Sequence, residues 1–178
     1  MNKITIQNFQ TPAGELVLGS VHGKICLCDW RHRESREVIY KKIMEGLDAY
    51  FEEGESGIIK TTKEQLSAYF KKDRKSFDIS LHMVGTLFQQ SVWNELLKIP
   101  YGKTLTYFQI ARQLKNEHAV RAVASANGAN PLAIIVPCHR VVGSKGELTG
   151  YSGGIETKKK LLHLETGKEF PKQLDLFE

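Results

Sequence analysis

The chain has 178 residues, a formal net charge of +5 and 41% hydrophobic residues, enough for one or two small domains with real cores. It has no long apolar run, which excludes a transmembrane helix, and its three cysteines are an odd, scattered set that argues against a disulfide framework. Met1–Thr5 lacks a secretory apolar core, so export is not expected; a reducing, cytoplasmic setting suits a reactive thiol.

The charge is unevenly placed. Residues 86–178 carry 12 Lys and Arg against 8 Asp and Glu, and residues 1–85 carry 13 against 12. A modest basic excess in the second half fits a nucleic-acid partner without requiring one.

Three strands come first, Lys3–Phe9, Glu15–Val21 and Lys24–Trp30, each alternating apolar and polar residues and split by short turns. The alternation places Cys26 and Cys28 on one face, opposite Ile25 and Leu27, as packing residues. Arg36–Phe51 reads as a helix through Val38, Ile39, Ile43 and Leu47, followed by a polar loop at Glu52–Gly57. Thr62–Lys72 reads as a second helix with Leu66, Tyr69 and Phe70 inward, and Phe77–Met83 as a further strand. Strands with flanking helices predict an α/β (α+β) layer. No chemistry is evident in this half.

The character changes at Val84-Gly85. From Thr86 the pattern is helical, with a stripe of Phe88, Val92, Trp93, Leu96 and Leu97 ending before Pro100-Tyr101-Gly102. Thr106-x-x-Gln109 is a capping box opening a helix through Ile110, Ala111 and Leu114. Asn116 is expected to cap a following helix, Glu117–Asn127, closed by Gly128. Two short helices joined tightly form a helix-turn-helix. The second, Arg121-Ala122-Val123-Ala124-Ser125-Ala126-Asn127, is built of small residues after Arg121. Small residues permit close packing on neighbouring helices. They also let one face approach a nucleic-acid backbone, and the scarcity of long polar side chains disfavours sequence-specific reading.

The apolar run Leu132–Val136 reads as a short buried strand stopped by Pro137, with Cys138, His139 and Arg140 directly after it. A cysteine beside a histidine can yield a thiolate nucleophile; the competing reading is a small buried hydrophobe. In the final helix, Ile155–Glu165, Glu165 lies three and four residues after Leu162 and Leu161. A carboxylate on an apolar stripe must be paired to be buried, which makes it the candidate partner of His139. Lys158 shares its face, beside the ordinary run Lys159 and Lys160.

Pro137-Cys138-His139-Arg140-Val141 resembles the active-site signature of the O6-alkylguanine-DNA alkyltransferases. The resemblance runs from about Thr86 to Gly167 through Pro100-Tyr101-Gly102, Thr106-Tyr107, Arg121-Ala122-Val123, Asn130-Pro131 and Gly150-Tyr151-Ser152-Gly153-Gly154. It implies an RNase H-like N-terminal domain (1–84) that acts as support, a helical domain (85–168) carrying helix-turn-helix and site, and a tail (169–178). It implies minor-groove docking on double-stranded DNA, with Arg121 filling the gap left by a flipped base, Ser125 on the close-approach face, and Tyr107 helping to rotate the nucleotide. Tyr107 read alone is a half-buried core tyrosine.

The resemblance also implies that Cys138 takes the alkyl group irreversibly, with a water between it and His139. Tyr151 closes the guanine pocket and the Ser152 N–H meets O6. The Val141 and Cys138 carbonyls accept from the exocyclic amine, Asn130 holds the turn backbone, and Arg140 braces the turn. No cofactor is implied. Some family members hold a structural zinc, but no complete ligand set is visible here. The expected activity is single-turnover transfer from O6-alkylguanine, with O4-alkylthymine as a second lesion. The alternatives are a non-catalytic lesion-binding protein, a Cys-His-Glu hydrolase and a transcription regulator. A monomer is expected. The tail residues Gln173, Leu174, Leu176 and Phe177 resemble a bacterial sliding-clamp peptide, or fold back on their own domain.

Overall fold

In the computed structural model, which describes residues 1–170, three antiparallel strands come first: β1 (Asn2–Thr11), β2 (Gly14–Val21) and β3 (Lys24–Trp30). Helix α1 (Arg36–Leu47) is shorter than the sequence pattern suggests. Asp48 turns left-handed (φ 45°) and ends it, and Ala49–Glu53 form β4, parallel to β1 at the sheet edge. The apolar stripe continues through that break, so periodicity alone cannot locate it. The sheet order is β3-β2-β1-β4, the mixed layer expected of an RNase H-like unit.

Helix α2 (Gly57–Phe70) starts earlier than Thr62. Phe77–Met83 is not a strand. It meets the sheet through a single bridge, Leu81 to Ile25, flanked by two backbone hydrogen bonds. The cysteine reading also changes. The β2–β3 register shifts between Gly19 and Ser20, so an extra residue is inserted at Cys26. Cys26 then packs with Leu27 on the α1 side, whereas Cys28 packs with Ile25 and Trp30 on the other.

The C-terminal part is helical: α3 (Leu87–Leu96), a two-residue strand β5 (Leu105–Thr106), α4 (Tyr107–Gln113), a 3-10 turn (Glu117–Ala119) and α5 (Val120–Gly128). Two capping boxes, Thr86 with Gln89 and Thr106 with Gln109, fix the starts of α3 and α4. Asn116 makes no side-chain cap bond, because the 3-10 turn stands between it and α5. Gly128 is the last helical residue and Ala129 the cap, so no left-handed glycine closes α5. A second 3-10 turn (Cys138–Arg140) leads into β6 (Val141–Val142), paired with β5, and then into α6 (Ile155–Thr166).

Leu132–Val136 is not a strand either. One bridge joins Leu132 to Cys28, and the chain then turns, with Ile134 at φ 69°. The run is buried because it lies against β3, not because it pairs along its length. One apolar core crosses the whole structure. It joins Leu18 and Trp30 of the sheet, Leu66 of α2, Trp93 of α3, Val123 of α5, Leu132 and Cys138. Each large side chain so buried contributes about 1.5–3 kcal/mol. This shared core seats the site against the N-terminal sheet.

Candidate active site

Cys138, His139 and Arg140 occupy one tight 3-10 turn and are all buried. Asn130 locks the approach to that turn. Its side chain donates to the Val136 carbonyl (2.8 Å) and accepts from the Leu132 N–H (2.9 Å).

Glu165 comes in from α6 and binds two of the three. The His139 Nε2–H donates to Oε1 at 2.7 Å, and Arg140 donates from Nε to Oε2 (2.9 Å) and from Nη2 to Oε1 (3.0 Å). Such a bidentate, charge-assisted pair is strong and directional. The Gly102 N–H also donates to Oε2 (3.0 Å), at a backbone φ of +74° that glycine accepts readily. Tyr69 of α2 donates to Oε1 at 2.8 Å.

These donors set the protonation states. Burial alone would raise the Glu165 pKa, but the bonds and charges of His139 and Arg140 hold it well below the usual carboxylate range. An ionised carboxylate only accepts, so Nε2 carries the hydrogen of the imidazole. Burial lowers the His139 pKa, with Glu165 opposing it, so the ring is neutral near pH 7. Its Nδ1 therefore keeps a lone pair. That nitrogen is buried and has no hydrogen-bond partner among the described residues. A neutral, oriented imidazole with a free Nδ1 is a base ready to take a proton.

Burial raises the Cys138 thiol pKa, opposed by the Asn130 hydrogen bond and by the charges of Lys158 and Arg33. The resting thiol is protonated and needs such a base. Lys158 is fully buried, not part of a solvated run. It donates to the carbonyls of Val141 (2.6 Å) and Thr149 (2.9 Å), and burial lowers its pKa to about 8.

A cavity of about 600 Å³ opens between the C-terminal end of α5, the Thr149–Gly154 loop and the segment after β3. Tyr107, Tyr151 and Ser152 line it, as does Asn127, whose Nδ2 lies 3.5 Å from the Cys138 carbonyl. The Asn127 Oδ1 and Ser152 Oγ are buried without partners among the described residues. Thr149 donates to the Tyr107 hydroxyl (3.2 Å). Trp30 Nε1 donates to the Tyr151 hydroxyl (3.1 Å), and His32 Nε2 bonds the Gly153 carbonyl (2.8 Å). A Cβ on Gly153 would sit 2.6 Å from the Trp30 ring, so only glycine lets the loop close here. Arg121 and Ser125 stand apart, on the exposed face of α5 with Ala122.

The structure thus gathers Cys138, His139, Glu165, Asn130, Val141 and Lys158 in one buried cluster, with Tyr107, Tyr151 and Ser152 on the cavity wall. Sequence reasoning missed Tyr69, Asn127, Trp30 and Arg33. None carries a local signal: Tyr69 reads as one more apolar stripe residue, and its contact with Glu165 spans 96 positions.

Fold and site together define a helix-turn-helix protein with a buried thiol and a neutral, oriented imidazole in one turn, near a cleft. A family model described as 6-O-methylguanine DNA methyltransferase, DNA binding domain, matches residues 87–167. A methylated-DNA--protein-cysteine methyltransferase of Methanosarcina acetivorans is 51% identical over 125 residues, covering 70% of this chain and 79% of the relative. That of Mycobacterium bovis is 54% identical over 115 residues, covering 65% and 69%. The crystal structure of Mycobacterium tuberculosis OGT in complex with DNA superposes with a TM-score of 0.79 at 40% identity, over 93% of this chain and 95% of that one. The chain belongs to the methylated-DNA--protein-cysteine methyltransferase family.

Proposed function

We propose that this protein repairs alkylated DNA by moving the alkyl group of O6-alkylguanine onto Cys138, once per molecule. The observation that carries the assignment to Cys138 is its place in one turn with a neutral His139 whose Nε2 is held by Glu165. His139 Nδ1 takes the thiol proton through a bridging water. The thiolate attacks the alkyl carbon, the S–C bond forms as the C–O6 bond breaks, and the electron pair leaves with the guanine, whose N1 takes up a proton as the C6 carbonyl is restored. The thioether is a poor leaving group, so the protein is consumed. O4-alkylthymine offers the same reacting carbon and is the second substrate.

Tyr151 and Ser152 receive the flipped base in the cavity, and Asn127 Oδ1 and Ser152 Oγ supply polar atoms that have no partner among the described residues. The Val141 and Cys138 carbonyls accept from the guanine amine, and Lys158 holds the Val141 carbonyl in place. The α5 face of Arg121, Ala122 and Ser125 enters the minor groove of double-stranded DNA, and Arg121 takes the place of the flipped nucleotide. Tyr107, at the first turn of α4, lies against the rotated phosphate.

The chain divides into a supporting layer, 1–84, and a DNA-binding and catalytic part, 85–168. It works in the cytoplasm as a monomer; no helix among the described residues is long and apolar enough to cross a membrane. Residues 171–178 lie outside the described residues. Gln173, Leu174, Leu176 and Phe177 form a short peptide for the replication sliding clamp, and a clamp pull-down unaffected by their deletion would remove that reading.

The decisive experiment is intact-mass analysis after mixing the protein with a duplex bearing O6-methylguanine. One CH2 is expected per molecule, on Cys138, and none in Cys138→Ala. Duplex binding without mass gain would turn the assignment toward a lesion-binding protein.

A further inference from the structure

The polar network around the nucleophile does not stop at the C-terminal part. Tyr69 lies on α2, in the half of the chain with no chemistry of its own, yet its hydroxyl reaches Glu165 Oε1 at 2.8 Å. That is the same oxygen that accepts the His139 Nε2–H at 2.7 Å. The Tyr69 ring is fully buried, in edge contact with Phe70 and Tyr101 and tilted against Phe77. The packing holds the ring in place without the hydroxyl. A buried tyrosine hydroxyl needs one partner, and many backbone carbonyls would serve. This one meets the acid that orients the base.

We infer that Tyr69 is a positioning residue for the transfer reaction: its hydroxyl bonds Glu165 and thereby sets the basicity of His139. The inference rests on the reading of His139 and Glu165 as the proton-accepting pair. Tyr69, His139 and Arg140 Nη2 all donate to this one carboxylate oxygen, so each weakens the bonds that the others make. Removing the Tyr69 hydroxyl leaves Oε1 more negative. The Glu165–His139 bond strengthens, the imidazolium is favoured, and the base becomes protonated at higher pH. The other groups facing the pair stay in place: Arg140 from the 3-10 turn, Lys158 from α6, and Tyr101 and the Gly102 N–H from the loop after α3. The N-terminal layer then does more than support. It tunes the base across the boundary between the two halves.

The test is the pH dependence of the single-turnover transfer rate for Tyr69→Phe, which keeps the packed ring. The acid limb is expected to move to higher pH, with the rate falling several-fold at pH 6 and staying within about twofold on the alkaline plateau. A profile superposable on the wild type overturns the inference. Glu165→Gln separates the two claims. If it too leaves the profile unchanged, the proton-accepting pair itself is wrong; if it alters the profile while Tyr69→Phe does not, only the role of Tyr69 fails. Should Tyr69→Phe not fold, proton NMR of the unmodified chain decides. A slowly exchanging Tyr69 hydroxyl proton with a cross-peak to the His139 Nε2–H is expected, and its absence overturns the geometry on which the inference stands.

Discussion

Glu165 carries more of the site than its place near a helix end suggests. Five hydrogen bonds converge on its two oxygens. Two pH effects follow for stability. The Glu165 carboxyl is held down in the folded state, so its contribution is present above the ordinary glutamate pKa of 4.5 and is lost as pH falls through the lower folded value. The His139 pKa is also lowered, so its contribution is present above about 6.5 and erodes as pH falls below that. The wild type should lose stability in two stages on acidification. Glu165→Gln leaves Arg140 buried without its counter-charge and is expected to cost about 3–5 kcal/mol at pH 7. It should also erase the lower stage. Denaturant titrations between pH 7 and pH 3 check both, and an unaltered lower stage would dispose of the assignment. At this scale the sequence was readable where chemistry constrains neighbours. A thiol beside an imidazole, and a carboxylate on an apolar stripe, are anomalies that ask for an explanation. Tyr69, Trp30 and Asn127 present no anomaly. Their roles arise only from contacts made after folding, such as the Trp30–Tyr151 hydrogen bond across 121 positions.

Elements were readable where a local rule closes on itself. The Thr106–Gln109 box satisfies two helix-end groups with two side chains only three residues apart, and the structure shows both bonds, at 3.1 and 2.8 Å. Leu132–Val136 and Phe77–Met83 were not readable in that way. Both are apolar enough for a strand, yet each gives the sheet one bridge, to Cys28 and Ile25. Together they cover the outer edge of β3, which protects it from pairing with another chain. An apolar segment buried as a cover and one buried as a strand have the same composition, and only the partner distinguishes them. The capping box bears on the role proposed for Tyr107, which is the first residue of the helix it starts. Thr106→Ala should cost about 1 kcal/mol of stability and loosen that turn. Transfer from duplex DNA should then slow by more than the stability loss explains, while transfer from O6-methylguanine supplied as the free base, which needs no nucleotide rotation, stays near the wild-type rate. Equal slowing of both would place Tyr107 outside the rotation step.

At the scale of the whole molecule, the question is what couples the sheet to the helical part. Arg33 is the clearest link. It sits just after β3, and its guanidinium donates to the Gly128 carbonyl at the end of α5 and to the Asn130 carbonyl (3.0 Å) at the start of the active-site turn. It also pairs with Asp29 (3.0 Å), with both side chains almost wholly buried. Burial pushes the Asp29 carboxyl up to about 6 even though Arg33 pulls it down. A carboxyl raised on folding contributes stability at low pH and loses it as pH rises through the folded value. Arg33→Met removes the opposing charge, so Asp29 should titrate higher still. The variant is expected to lose about 3–5 kcal/mol at pH 7.5, where Asp29 must either stay charged and unpaired or take a proton far above its ordinary pKa. It should lose less at pH 5, where Asp29 takes a proton. The informative quantity is the difference between variant and wild type at each pH, which cancels the acid effects of His139 and Glu165 common to both. An equal loss at both values would mean that Arg33 matters for its bonds to α5 and the turn, and that Asp29 is only a bystander. A loss concentrated at high pH would show that one buried ion pair sets how firmly the sheet holds α5 and the segment leading to the Cys138 turn.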